Sequence, residues 1–221
     1  MLNLVLKDIL IQKKSFLVAV VYSGFLFIIF SNEVFKDAIY VMGTGAIAYI
    51  MIVTSSAYDD KYKSEIIINS LPVHRKSVVL AKYLAAVAFS AVGLIIVGAL
   101  GLVIIIAGIP LPVRHINLYD IVFAFFSVAL LAALYYPVYF KFGYNISRML
   151  NLVLFMVLFF GPGALLDYIR QKMDYTSAQQ LASRLQDIPA WAPGTLALAV
   201  AVLLTVVSLI ISLKIYETKD F

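Results

Sequence analysis

Cysteine is absent from the 221-residue chain, and charged residues are scarce, at 13% of the total. Without cysteine, the chain has no disulfide, no thiolate metal site and no cysteine nucleophile. The shortage of charge excludes an ordinary soluble domain, in which about 25% of residues are charged. With 63% hydrophobic residues and a mean hydropathy of +1.00, the composition is that of an integral membrane protein.

Histidine is also rare, and this bears on an intramembrane enzyme as an alternative function. The two histidines, His74 and His115, fall in loops on opposite sides of the predicted membrane, whereas a zinc protease needs an H-E-x-x-H motif on a helix. We therefore predict no catalytic, metal-binding or cofactor-binding residue in this chain. Four serines within spans have no predicted His or Lys partner and are expected to bond to the backbone or to pack between helices: Ser23, Ser55, Ser90 and Ser127.

Long apolar runs predict a single all-α membrane domain over residues 1–221. Each run approaches the ~20 residues that cross the hydrocarbon core, and continuous runs favour helices over the alternating strands of a barrel. Six transmembrane helices are predicted: Ser15 to Ser31, Ala38 to Ala57, Val78 to Ile109, Ile121 to Phe140, Met149 to Leu166 and Gly194 to Ile215.

The basic residues predict the orientation of these spans in the cell membrane. Of the 17, twelve fall on one side and five on the other if the N-terminus is cytoplasmic, so we expect both termini in the cytosol. The net charge of +5 then reflects topology and contact with anionic lipid headgroups, and we predict no nucleic-acid partner. The outer set is Lys36, Arg114, Arg170, Lys172 and Arg184.

The first fourteen residues predict an amphipathic helix that lies in the inner membrane interface. Five apolar residues fall on one helical face, while Asn3, Lys7 and Lys14 fall on another. The alternative is that this segment is the start of the first span. The apolar set is Leu2, Val5, Leu6, Ile9 and Leu10.

Two features are predicted near the outer end of the fifth span. Gly161, Pro162 and Gly163 interrupt the apolar run, and we expect the helix to turn there. Beyond them, Ser177 and Gln180 fit a capping box that opens a short outer amphipathic helix. That helix either caps the exit or is a plain connection. Its apolar positions are Leu181, Leu185 and Ile188, and Arg184 and Asp187 are expected to face water.

The densest group of charged residues lies between the second and third spans, from Tyr58 to Lys82. Asp59 and Asp60 suit the N-terminus of a short helix from Lys61 to about Ser70, which Pro72 would prevent from continuing. Tyr62, Ile66 and Ile67 then form an apolar stripe flanked by Lys63 and Glu65. The alternative is an ordinary solvated loop. A further helix is predicted to begin near His74 to Ser77 and to lead into the third span.

The whole arrangement resembles the small ABC-2 type permease subunits of bacterial ATP-driven exporters. The resemblance is carried by the amphipathic N-terminal helix, the six spans and the segment that ends in Leu71-Pro72-Val73-His74-Arg75-Lys76. It implies that the short cytosolic helix is a coupling helix that docks on a separate ATPase. The coupling residues would then be Tyr62, Lys63, Glu65, Ile66, Ile67 and Leu71.

The resemblance also implies partners and a cargo. The permease would pair with a second permease, identical or related, and the ATPase would bind ATP and Mg²⁺, since this chain has no G-x-x-x-x-G-K-[ST] loop. Exporters of antimicrobial peptides and phenol-soluble modulins belong to the family, so amphipathic peptides are the expected cargo, ahead of lipids and hydrophobic drugs. A non-transporting immunity or sensor protein remains the alternative function.

Overall fold

The computed structural model describes residues 2–29, 38–70, 73–111, 113–172, 189 and 191–219, and these ranges contain helices and no strand. This confirms the all-α prediction for the described chain. In chain order the helices are α1 (Leu2–Leu10), α2 (Lys13–Ile29), α3 (Ile39–Lys61), α4 (Ser64–Asn69), α5 (Arg75–Ile106), α6 (Leu118–Phe142), α7 (Tyr144–Lys172) and α8 (Trp191–Glu217).

Four of these helices are long and apolar enough to cross a membrane, namely α3, α5, α6 and α8. The predicted first and fifth spans correspond to α2 and α7, within which the described apolar stretches are shorter, at Ser15–Ile29 and Tyr144–Val157. The third predicted span is part of α5, which begins at Arg75, as predicted for the helix that leads into this span. The structure therefore shows a multi-pass membrane protein.

The predicted turn at Gly161-Pro162-Gly163 was wrong. The backbone stays helical through these residues as part of α7. A helix satisfies its own amides and carbonyls, and in hydrocarbon an irregular turn would leave several of these groups without partners. Proline removes only one such bond, so continuation is favoured. The outer amphipathic helix, predicted at residues 177–188, lies outside the described residues.

Along α1 and the start of α2, several polar side chains are buried against the protein beside Val5 and Ile9, while other apolar side chains of α1 face outward. Asp8, Gln12 and Ser15 are buried at helical spacing, and the Gln12 side-chain amide donates to the Met51 carbonyl at 2.7 Å. Leu2, Leu6 and Leu10 of α1 are 80%, 56% and 52% exposed. This pattern suits a helix that faces lipid on one side and the protein on the other.

Helix α3 is central: 67% of its most apolar stretch is buried, against 22% for the peripheral α8. Small residues allow the close packing of α3 and α5. A Cβ on Gly93 would lie 3.1 Å from the Thr44 carbonyl oxygen, and a Cβ on Gly43 would lie 3.0 Å from Val97. Such small residues at helix contacts are typical of membrane bundles, in which packing, not water exclusion, holds helices together.

The two ends of the bundle differ in chemistry. At one end, Arg114 forms two hydrogen bonds with Asp120 at 2.6 and 2.7 Å, and Tyr40 donates to the Arg114 carbonyl. The opposite end, called here the α4 end, holds α1, α4 and the beginnings of α5 and α7. Aromatic side chains pack in a layer beneath it: Tyr83, Tyr135, Tyr136, Tyr139, Phe140 and Tyr216.

Candidate functional site

The short helix α4 is separated from α3 by only two residues, Tyr62 and Lys63. Lys63 has φ +47° and ψ 40°, a left-handed conformation that ends one helix and redirects the chain into the next. At the other end of α4, the Ser70 hydroxyl donates to the Ile66 carbonyl at 2.9 Å. A short helix between the second and third spans is thus present, although it begins at Ser64 and not at Lys61.

The placement of Asp59 and Asp60 corrects the sequence prediction. Both lie in the last turn of α3, and not at the N-terminus of the short helix. A carboxylate at a helix C-terminus interacts unfavourably with the negative end of the helix dipole. At Asp59 two lysines compensate, since Lys7 Nζ lies 2.8 Å from Oδ1 and Lys82 contacts Oδ2. Compensation by residues distant in sequence lets α3 continue to Lys61.

An apolar stripe is exposed along α4 and the turn before it. Tyr62, Ile66 and Ile67 are 58%, 54% and 61% exposed. Their neighbour Ile68 instead packs against the buried core and fixes which face of α4 is turned outward. The Tyr62 ring of this stripe stacks on the Tyr58 ring, and the two centroids are 6.0 Å apart. The structure therefore exposes three large apolar side chains on α4 and the turn before it, at one end of the bundle.

The remaining predicted coupling residues lie around this stripe. Lys63 is exposed, and Glu65 forms an ion pair with Lys219, whose Nζ lies 3.0 Å from Oε2. Five of the six predicted residues are thus brought together on α4 and the preceding turn. Leu71, the sixth, lies outside the described residues.

A cleft of about 230 Å³ separates α4 from the junction of α6 and α7. Gly143 forms this junction with φ +80°, a value that favours glycine. The lining includes charged groups from α3 and α4 as well as aromatic side chains from α6 and α7. Its residues are Asp59, Asp60, Lys63, Glu65, Ile66, Tyr139, Gly143 and Tyr144.

A largely buried cluster of two lysines and two aspartates lies behind α4, and it was not predicted from the sequence. Lys82 Nζ is 3.0 Å from Asp8 Oδ2, contacts Asp59 Oδ2 and donates to the Ser55 hydroxyl at 3.0 Å. Lys7 Nζ is 3.3 Å from Asp8 Oδ1. The cluster joins α1, α3 and α5. It also corrects the expectation for Ser55, whose partner is a lysine.

The charges of this cluster balance, and that balance is what permits burial. The side chains of Lys82, Asp8 and Asp59 are only 7%, 2% and 4% exposed. Removing a charge from water costs several kcal/mol per ion unless partners compensate it closely. Each buried charge here has two oppositely charged neighbours within 4 Å. The cluster is therefore a fixed junction of three helices.

One sequence signal could have revealed the cluster. Asp8 falls on the same helical face as Gln12 and Ser15, although that face precedes an apolar span. Polar residues at this spacing beside a membrane helix indicate contact with protein, because lipid offers them no partner. Lys82 lies one turn inside the predicted third span. A lysine at that depth also indicates an acidic partner within the protein, because lipid offers it none.

A small cavity connects the charge cluster to α4. Its volume, about 20 Å³, is sufficient for one water molecule. Lys7, Asp8 and Lys82 line one side, and Glu65 and Ile68 of α4 line the other. Glu65 and Ile68 of α4 therefore lie close to the charge cluster, with this cavity between them.

A larger groove of about 360 Å³ lies between α5, α6 and α8 at mid-depth of these spans. The lining hydroxyls of Ser90 and Thr205 donate to carbonyls of their own helices, at 2.7 Å in both cases. Toward the α4 end of the groove, Tyr83 bonds to Ser208 and Ser212, at 2.6 and 2.9 Å. The groove consequently offers a mainly apolar surface, on which the hydroxyl hydrogens of Ser90 and Thr205 are already bonded within the protein.

Comparison with known proteins gives the family. The protein family described as "ABC-2 family transporter protein" matches residues 3–217 of the chain. The match runs from the second residue of α1 to the last residue of α8. No curated protein and no solved structure is similar enough to the chain to match it. The family match covers nearly the whole chain and agrees with its apolar helices. The chain therefore belongs to the ABC-2 family of transporters, as a membrane-embedded permease.

Proposed function

We propose that this permease is the membrane subunit of an ATP-driven exporter and that a separate ATPase docks on α4. The observation that carries the proposal is the exposed apolar stripe of Tyr62, Ile66 and Ile67. Apolar side chains at the polar end of a membrane bundle gain free energy when a protein partner covers them. Tyrosine and isoleucine flanked by charges form the usual pattern of an apolar interface centre with a polar rim.

The proposal places the α4 end in the cytosol, where an ATPase and its nucleotide are found. Support comes from the distribution of basic residues, twelve of which belong to this side and five to the other. Both termini would then be cytoplasmic, and the protein would lie in the cell membrane. Lys63, Arg75, Lys141 and Arg148 are exposed at this end, within reach of anionic headgroups or an acidic partner.

The sequence contains no phosphate-binding loop, so the proposal assigns ATP and Mg²⁺ to the partner ATPase. Force from ATP hydrolysis would enter at α4 and pass to α3 and α5 through the adjoining charge cluster. A second permease, identical or related, completes the proposed assembly, as is usual for the family it belongs to.

The proposed cargo is an amphipathic peptide or another hydrophobic compound. The groove between α5, α6 and α8 supports an apolar cargo, since its hydroxyls are already bonded internally. A free ion or a highly polar solute would require unpaired polar groups in such a groove.

The test is copurification of the ATPase with permease variants from membranes that contain equal amounts of permease. Ile66→Asp combined with Ile67→Asp should abolish recovery of the ATPase, because each carboxylate would be buried unpaired, at a typical cost of a few kcal/mol. Asn145→Asp is the control, since it adds a carboxylate at an exposed site of the same end, in the first turn of α7 and outside the stripe. Recovery of the ATPase at the wild-type level with the double variant would refute the proposal.

A further inference from the structure

Helix α4 has little intrinsic tendency to hold its position. It contains six residues, whereas isolated helices shorter than ~12–15 residues are marginal in water. Lys63, which precedes it, provides no side-chain cap and adopts a left-handed conformation that is uncommon outside glycine. Contacts with the rest of the protein must therefore fix α4. Among the described residues, Ile68 supplies such a contact to the core and Glu65 supplies another to Lys219.

The segment that carries Lys219, residues 217–219, is also attached to α5. Arg75 Nη1 donates to the carbonyl oxygens of Glu217 at 2.8 Å and of Lys219 at 3.1 Å. Glu217 ends α8, and the last carbonyls of a helix have no partner within it. The Arg75 guanidinium supplies a hydrogen-bond donor to these carbonyls, and its positive charge interacts favourably with the negative end of the helix dipole. Since Arg75 begins α5, the segment bridges α4 and α5 across the loop that joins them.

The base of this segment is firmly packed. Tyr216 is fully buried, and its ring meets Phe140 of α6 edge to face at a centroid distance of 5.1 Å. Beyond it, the Thr218 hydroxyl donates to the Lys214 carbonyl at 3.0 Å, which keeps the chain aligned with α8. A displacement of Lys219 would therefore be transmitted to α8 and α6, because the segment is packed against both helices.

We infer that residues 217–219 are a strap that holds α4 in place and joins its movement to that of α8. The Glu65 and Lys219 side chains are 26% and 27% exposed, so their ion pair is partly shielded from water and can hold α4 against residues 217–219. The holding role concerns the permease alone. The transmission of ATPase movement rests on the proposed function.

Amide hydrogen exchange of residues 64–69, measured on the full-length permease in nanodiscs, tests the holding role. Lys219→Glu and Glu65→Lys each place like charges together and should raise the exchange rate about threefold or more. The reversed pair, which combines both substitutions, should restore slow exchange. Lys214→Glu is the control, because it makes the same charge change at an exposed site on α8. Unchanged exchange in the single variants, or no restoration in the reversed pair, would overturn the strap.

Recovery of the ATPase with the same variants separates the two proposals. Faster exchange with reduced recovery supports both the strap and docking on α4. Faster exchange with full recovery would show that the strap holds α4 but that the ATPase does not depend on it, which overturns the transmission role. If the exchange rate of residues 64–69 does not change, the strap proposal is wrong at any level of ATPase recovery. Docking of the ATPase on α4 is then tested only by the Ile66→Asp and Ile67→Asp double variant.

Discussion

Lys82 of α5 and Asp8 of α1 form a buried ion pair, with Nζ 3.0 Å from Oδ2. This contact joins the N-terminal helix to the third span, and Asp59 adds the end of α3 to the same junction. An amphipathic helix of this kind is expected to lie loosely on the membrane surface. Here it is fixed to the bundle by charge, while Leu2, Leu6 and Leu10 face outward.

Breaking this cluster should destabilise the protein. Lys82→Met leaves Asp8 and Asp59 buried with only Lys7 to neutralise them, and removing one partner of a buried pair costs about 3–5 kcal/mol. The melting temperature of the purified permease should fall clearly. Lys76→Met is the control, because Lys76 is 69% exposed. Adding Asp59→Asn to Lys82→Met restores charge balance and should recover part of the loss; a double variant less stable than the single one would contradict the charge-balance explanation.

Gly101 should not tolerate a side chain. A Cβ at this position would lie 2.5 Å from the Tyr40 hydroxyl oxygen, which bonds to the Arg114 carbonyl. Gly101→Ala should therefore displace the Tyr40 ring and cost about 1–3 kcal/mol, as overpacking usually does. Gly24→Ala is a suitable control, since nothing lies within 4 Å of the Cβ it would add. Equal thermal stability of the two variants would show that Tyr40 moves aside freely.

The orientation of the bundle can be measured directly, because the chain has no cysteine of its own. His115→Cys lies at the end opposite α4 and should react with an impermeant thiol reagent applied to intact cells. Lys63→Cys and Lys141→Cys, both exposed at the α4 end, should react only after the membrane is opened. Labelling of Lys63→Cys from outside would reverse the topology and remove α4 from the reach of a cytosolic ATPase.

The groove between α5, α6 and α8 should govern binding of an apolar cargo. Ala129→Phe fills the groove from α6 and should lower the affinity of the permease in nanodiscs for a fluorescent amphipathic peptide. Leu203→Phe serves as the control, because Leu203 is 62% exposed on α8 and is not among the groove residues. Equal affinities of the two variants would exclude the groove as the peptide site.

Parts of the candidate site could be predicted because they depend on local pattern. Helical spacing places Ile66 and Ile67 together on the short helix, and the structure exposes both; Tyr62 is also exposed, but in the turn before α4 and not on the helix itself. The start of α4 could not be predicted in the same way. Local charge rules place Asp59 and Asp60 at a helix N-terminus, but Lys7 and Lys82, distant in sequence, neutralise Asp59 and extend α3 past it.

By itself, the sequence determined that this is an all-helical membrane protein, because apolar runs in lipid leave the backbone no partner except its own helix. It also determined which segment between the second and third spans carries apolar and charged residues together. Only the tertiary structure decided that Asp8, Asp59 and Lys82 share one buried cluster and that Lys219 reaches Glu65. These pairs join residues far apart in the chain. Their formation depends on how the helices pack, which local sequence patterns do not specify.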